Sequence, residues 1–237
     1  MTGNYIAVIV LLVFPFYLAF FKKQLKLESY NLKVHYIKSI CIYPLFIAAI
    51  CIIDTSVLKQ VDFSKVGKGF SLPIYLYIVL LLFHIMPFFM ELIPQKKKGV
   101  YDSEAAGDIY GVPVKLFPNS HKELIWFVLF MVTGVITEEI VFRQFMFHVF
   151  NTVFHFTGDT ILLITSTLFT ISHLGQKEYR KVTKVILLFI SGLFYGKSFQ
   201  MSGSIYYPII IHLLNNGAIA VIAFRRVHSI NRQGNIY

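Results

Sequence analysis

TGVITEEIVFRQF, residues Thr133–Phe145, sets two adjacent glutamates and an arginine inside an otherwise apolar run. Any fold assigned to this chain must explain why Glu138, Glu139 and Arg143 sit there.

The chain around them is apolar. Hydrophobic residues make up 56% of the 237, charged residues only 14%, and the mean hydropathy is +0.66. These values exclude an ordinary soluble domain and predict an all-α, polytopic transmembrane helix bundle. In such a bundle charge is costly, so each ionisable residue within a span is a functional candidate. The net charge of +10 does not point to nucleic acid, because the lysines and arginines fall in the connections between apolar runs. Cys41 and Cys51 lie ten residues apart in one run, roughly 15 Å along a helix. That is too far for a disulfide, and both read as small core residues. The first run lacks a basic leader and a small-residue cleavage site, so it reads as a permanent span.

About seven spans are expected, at 5–21, 39–58, 72–93, 123–150, 160–175, 182–200 and 204–224. The fourth is long and is expected to tilt or break near Gly134. Positive charge supports the count. The connections after spans one, three, five and seven hold Lys22, Lys23, Lys26, Lys33, Lys38, Lys96, Lys97, Lys98, Lys115, Lys122, Lys177, Arg180, Lys181, Lys184, Arg225, Arg226 and Arg232. The other connections hold only Lys59, Lys65, Lys68 and Lys197. This asymmetry predicts a cell-membrane protein with its N-terminus outside and its C-terminus in the cytoplasm. The chain then divides into spans one to three (1–94), a cytoplasmic loop (95–122), a core (123–224) and a basic cytoplasmic tail (225–237).

Spacing sorts the buried polar groups. Glu139 and Arg143 are four apart and share one helix face, so they can pair. Glu138 is turned away by about 100° and must face something else, which suits a general base. His173 ends TLFTISH, with Phe169 one turn earlier on its face. His212 and Asn216, in IIIHLLNNG, are likewise four apart. An acid, two imidazoles and a carboxamide on three helices can converge. Each also has a plainer reading: an ion pair that fixes a helix, or interhelical hydrogen bonds. His84 reads as structural, and His148 and His155 as solvated. Gly192 and Gly196 form a GxxxG helix-packing face rather than a site.

At these residues the chain resembles the CPBP family, the CAAX-protease and bacteriocin-processing (Abi) intramembrane proteases. Three motifs carry the resemblance: EExxxR at Glu138–Arg143, FxxxH at Phe169–His173 and HxxxN at His212–Asn216. The GSIYYPIIIH lead-in to the third is also similar. The chain departs from the family at GVIT, where a proline is usual before the glutamates, and at Gln144, where a glycine is usual. Neither change removes a reacting group.

The resemblance implies an intramembrane endopeptidase. Glu138 would activate a water with help from His173. His212 and Asn216 would donate to the oxyanion, while Glu139, Arg143 and Phe169 support the helices. No cofactor is the favoured expectation, since the HExxH spacing of zinc proteases is absent. The alternative is a divalent metal such as zinc held by Glu138, His173 and His212. The partners implied are the bilayer and a membrane-embedded or lipid-associated peptide or protein substrate, with no nucleic acid. The family's substrates include prenylated CAAX proteins, and its bacterial members are linked to bacteriocin immunity and peptide or pheromone processing. A rhomboid GxSx serine is missing at Ser191, and Asp102 lies in a loop rather than in a GxGD motif. A proton-coupled transporter would show inverted repeats. A non-catalytic immunity or scaffold protein would have no need of Glu138.

Overall fold

The computed structural model describes residues 32–53, 117–174 and 182–234. Among them are six α-helices and no strand, so the fold is all-helical as expected. In chain order they are α1 (Leu32–Ile53), α2 (His121–Glu139), α3 (Met146–Thr152), α4 (Gly158–His173), α5 (Val182–Ser202) and α6 (Tyr206–Gly234). A single π-helical segment, Ile140–Phe145, joins α2 to α3 and makes one long helical unit of the three. By length and composition, three described stretches are able to cross a membrane: His121–Thr152, Val185–Ser202 and Tyr206–Ile230.

Local chemistry fixes the start of α2. The Ser120 hydroxyl accepts from the Glu123 amide at 3.2 Å, and the Glu123 carboxylate accepts from the Asn119 amide at 2.8 Å. These contacts satisfy amide groups that a helix leaves unpaired at its N-terminus. Beyond them, serines and threonines inside the helices bond carbonyls three or four residues back. Examples are Thr137 to Thr133 and Ser166 to Leu162. A hydroxyl satisfied within its own helix needs no partner from lipid.

From Val141 to Phe147 every residue is buried. A segment buried on all sides, its Arg143 and Gln144 included, belongs at the centre of a bundle, and here α4 and α5 pack around it together with the aromatic core of Phe142, Phe145, Phe150, Phe169 and Phe194. The GxxxG face packs as expected. A Cβ on Gly192 would come within 3.2 Å of the Ser166 backbone, and one on Gly196 would strike Leu162. These pairings run α4 and α5 antiparallel.

Contacts also set the direction of the other helices. Tyr36 lies against Phe127 and Phe130, and Tyr43 against Phe130 and Gly134. Residue numbers rise together, so α1 and α2 run parallel. Arg226 of α6 donates to Asn119 at 3.2 Å, and Ile222 and Ala223 join Phe117 and Phe127. The far part of α6 therefore lies at the start of α2.

Several expectations change. The long helix does not break at Gly134; its irregularity is the π segment that begins at Ile140. Gly134 instead lets the Tyr43 ring lie close. The fifth span is α4, which has 16 residues and ends at His173, short of the ~20 needed to cross a bilayer. The helix α6 continues through Arg225 and Arg226 to Gly234. Cys41 is exposed rather than core, because a span may turn a small apolar residue outward without cost in lipid. The expected spans at 5–21 and 72–93, residues 95–116 of the loop, His84 and the side chain of Cys51 lie outside the described residues.

Candidate active site

The EExxxR segment lies where α2 gives way to the π segment. Glu139 and Arg143 are both wholly buried, with Glu139 Oε2 3.3 Å from Arg143 Nε. The Arg143 Nη2 group also donates to the Gly192 carbonyl at 3.1 Å. Its guanidinium lies over three rings, 4.8 Å from the Phe169 centroid, 5.5 Å from Tyr195 and 5.8 Å from Phe142. Aromatic faces attract a desolvated cation, so carboxylate, carbonyl and rings together hold the charge. Gly192 was expected only to pack helices; its backbone also anchors the arginine.

Glu139 has a second partner. Its Oε1 lies 2.7 Å from His212 Nδ1. One carboxylate thus joins Arg143 to His212, which stands 73 residues later in the chain. The Nδ1–H donates to Glu139, so His212 turns Nε2 toward Glu138. Tyr195 stacks flat on the His212 ring, with centroids 4.5 Å apart and planes at 16°. The Tyr195 hydroxyl in turn accepts from Asn215 at 3.0 Å. Hydrogen bond and stacking leave His212 little freedom to rotate.

His173 is set by its own helix end. Its Nδ1 lies 2.8 Å from the Phe169 carbonyl and 3.1 Å from the Ser172 hydroxyl. Donation from Nδ1–H to that carbonyl leaves the lone pair on Nε2. The Phe169 ring touches nearly everything here: its centroid is 4.7 Å from that of His173, 6.0 Å from His212 and 6.2 Å from Tyr195.

Glu138 lies between the two imidazoles. Its Oε1 is 3.9 Å from His173 Nε2 and its Oε2 is 3.9 Å from His212 Nε2. Its side chain is 30% exposed, while that of Glu139 is sealed. At 3.9 Å neither contact is a direct hydrogen bond; a single water bonded to both ends spans such a gap. Asn216 is half-buried, one turn beyond His212 on α6, and its carboxamide makes no hydrogen bond among the described residues.

The polar groups of the three motifs therefore lie on α2 and the π segment after it, on α4 and on α6. A family model, Rce1-like type II CAAX prenyl endopeptidase, matches residues 120–218. Over residues 120–218 the chain is similar to the Rce1-like CAAX protease family. No curated protein and no solved structure matches the chain. The matched segment takes in Glu138, Glu139, Arg143, Phe169, His173, His212 and Asn216, and leaves α1 outside. The family it is similar to is one of endopeptidases, and that likeness together with the three apolar helices marks the chain as a membrane protein.

Two partners escape sequence reasoning. Nothing in the spacing joins Glu139 to His212, and Tyr195 belongs to none of the three motifs. Glu138, His173 and His212 are the candidate metal ligands, and two imidazoles and a carboxylate are donor types that suit zinc. Among the described residues no group of three His, Cys, Asp or Glu side chains forms a ready metal site.

Proposed function

We propose that the chain is an intramembrane endopeptidase in which Glu138 activates water against a peptide bond of a membrane-associated peptide or protein. The observation that carries this reading is the position of Glu138, with Oε1 3.9 Å from His173 Nε2 and Oε2 3.9 Å from His212 Nε2. A water there is held by Glu138 and His173 while its oxygen attacks the scissile carbonyl. Its proton passes to Glu138 as the carbon–oxygen bond forms. Glu138 then returns the proton to the leaving nitrogen as the carbon–nitrogen bond breaks. His212, in its protonated form, donates from Nε2 to the oxyanion, and the Asn216 carboxamide donates beside it. Glu139 and Arg143 hold His212 in register.

A prenylated peptide ending in a CAAX box is the first substrate class to try, given the description of the family that matches. Processing of a bacteriocin or pheromone peptide, or immunity through such cleavage, is the second. The test compares purified native protein with Glu138→Gln on a farnesylated CAAX peptide. Comparative peptidomics of membranes carrying native or Glu138→Ala protein then widens the search. Cleavage by the native protein alone is expected. No peptide that differs in either comparison would refute hydrolysis and leave a non-catalytic membrane scaffold. The N-terminus is proposed to lie outside and the C-terminus in the cytoplasm, on the charge asymmetry and on the contact of Arg226 with Asn119. A C-terminal reporter active only on the outer face would overturn that orientation.

A further inference from the structure

The helix outside the matched domain also reaches the site. On α1 the Tyr43 ring stacks on Phe130, with centroids 6.2 Å apart and planes at 22°. A Cβ at Gly134 would stand 3.6 Å from its Cε2 and 3.9 Å from its hydroxyl oxygen. Gly134 and Glu138 are one turn apart on the same face of α2. The bare backbone of Gly134 thus lets the phenol lie close, one turn from the Glu138 carboxylate, and the two groups are within electrostatic reach. The Tyr43 hydroxyl makes no hydrogen bond among the described residues. A polar hydroxyl in apolar surroundings costs free energy until it finds a partner. Glu138 is the partly open member of the glutamate pair, so a peptide reaching it passes beside this hydroxyl.

We infer that the Tyr43 hydroxyl hydrogen-bonds the substrate peptide beside Glu138, so that α1 forms a wall of the binding site opposite His212 and Asn216. The inference rests on the endopeptidase reading for the location of the peptide. Tyr43 takes no proton and breaks no bond; it binds. A contact made equally in the ground state and the transition state lowers KM without changing kcat.

Tyr43→Phe keeps the ring that packs on Phe130 and Gly134 and removes only the hydroxyl. With the farnesylated CAAX peptide, KM should rise roughly two- to ten-fold, the range for one neutral hydrogen bond. The kcat should stay within about two-fold of native, and protein abundance should not change. A second measurement reads contact rather than turnover. A benzophenone photocrosslinker is placed at position 43 in the Glu138→Gln chain, and the same group at Leu45, which is exposed on another face of α1. Capture of the farnesylated peptide from 43 and not from 45 is expected. Such capture by a chain whose native form cleaves nothing supports the α1 contact and refutes the hydrolysis reading. Cleavage by the native protein with unchanged KM in Tyr43→Phe and no capture from 43 overturns the inference and leaves the endopeptidase standing.

Discussion

Replacing Glu139 by glutamine keeps the shape of the side chain and removes the charge that Arg143 answers. Arg143 is wholly buried, with one carbonyl acceptor at Gly192 and three aromatic faces around it. Those contacts persist in the variant, so the change in stability is that of a broken buried pair, ~3–5 kcal/mol. Adding Arg143→Met removes the stranded charge and fills a similar volume with an unbranched apolar chain. Replacing both partners of a buried pair is often neutral or stabilising, so the double variant should return to within ~1 kcal/mol of native stability. Activity should not return with it. His212 would then face an amide where it had a carboxylate at 2.7 Å, and loss of the carboxylate behind a working histidine costs up to ~10⁴-fold. Unfolding in detergent, followed by fluorescence of the single tryptophan, Trp126, measures the first quantity. Peptide cleavage measures the second. A Glu139→Gln chain as stable as native, or a double variant with native activity, would refute the reasoning.

Glu138→Gln should abolish cleavage with abundance near normal, since Glu138 is partly exposed and carries no ion pair as tight as that of Glu139. A stable and active Glu138→Gln chain beside a stable and dead Glu139→Gln chain would reverse the two roles. His212→Ala and Asn216→Ala should each lower the rate by ~10²–10³, and the double variant should lose far less than the product, because both donors serve one oxyanion; a fully multiplicative loss would separate their functions. Metal content of active protein in detergent, with chelator titration, decides the remaining chemistry. Activity is expected to survive chelation. One equivalent of zinc lost and regained with activity would recast Glu138, His173 and His212 as ligands, or Glu138 as a base beside a metal-bound water.

The sequence by itself determined what depends on helical periodicity. Four-residue spacing was enough to pair Glu139 with Arg143 and to turn Glu138 elsewhere. It was enough to put Phe169 over His173, to line Asn216 up behind His212 and to read Gly192 and Gly196 as a packing face. Composition determined the all-helical class, because few backbones can satisfy their polar groups in lipid. The tertiary structure alone decided which helices meet and with what register. It set His212 Nδ1 on Glu139, stacked Tyr195 on the imidazole, gave the Gly192 carbonyl to Arg143 and brought Tyr43 beside Gly134. It also moved the irregularity of the long helix from Gly134 to the turn after Glu139 and stopped α4 at His173. Periodicity fixes the face a side chain occupies on its own helix. The partner across the gap depends on how ridges of bulky rings and gaps at glycines interlock between helices distant in sequence, and no local pattern encodes that.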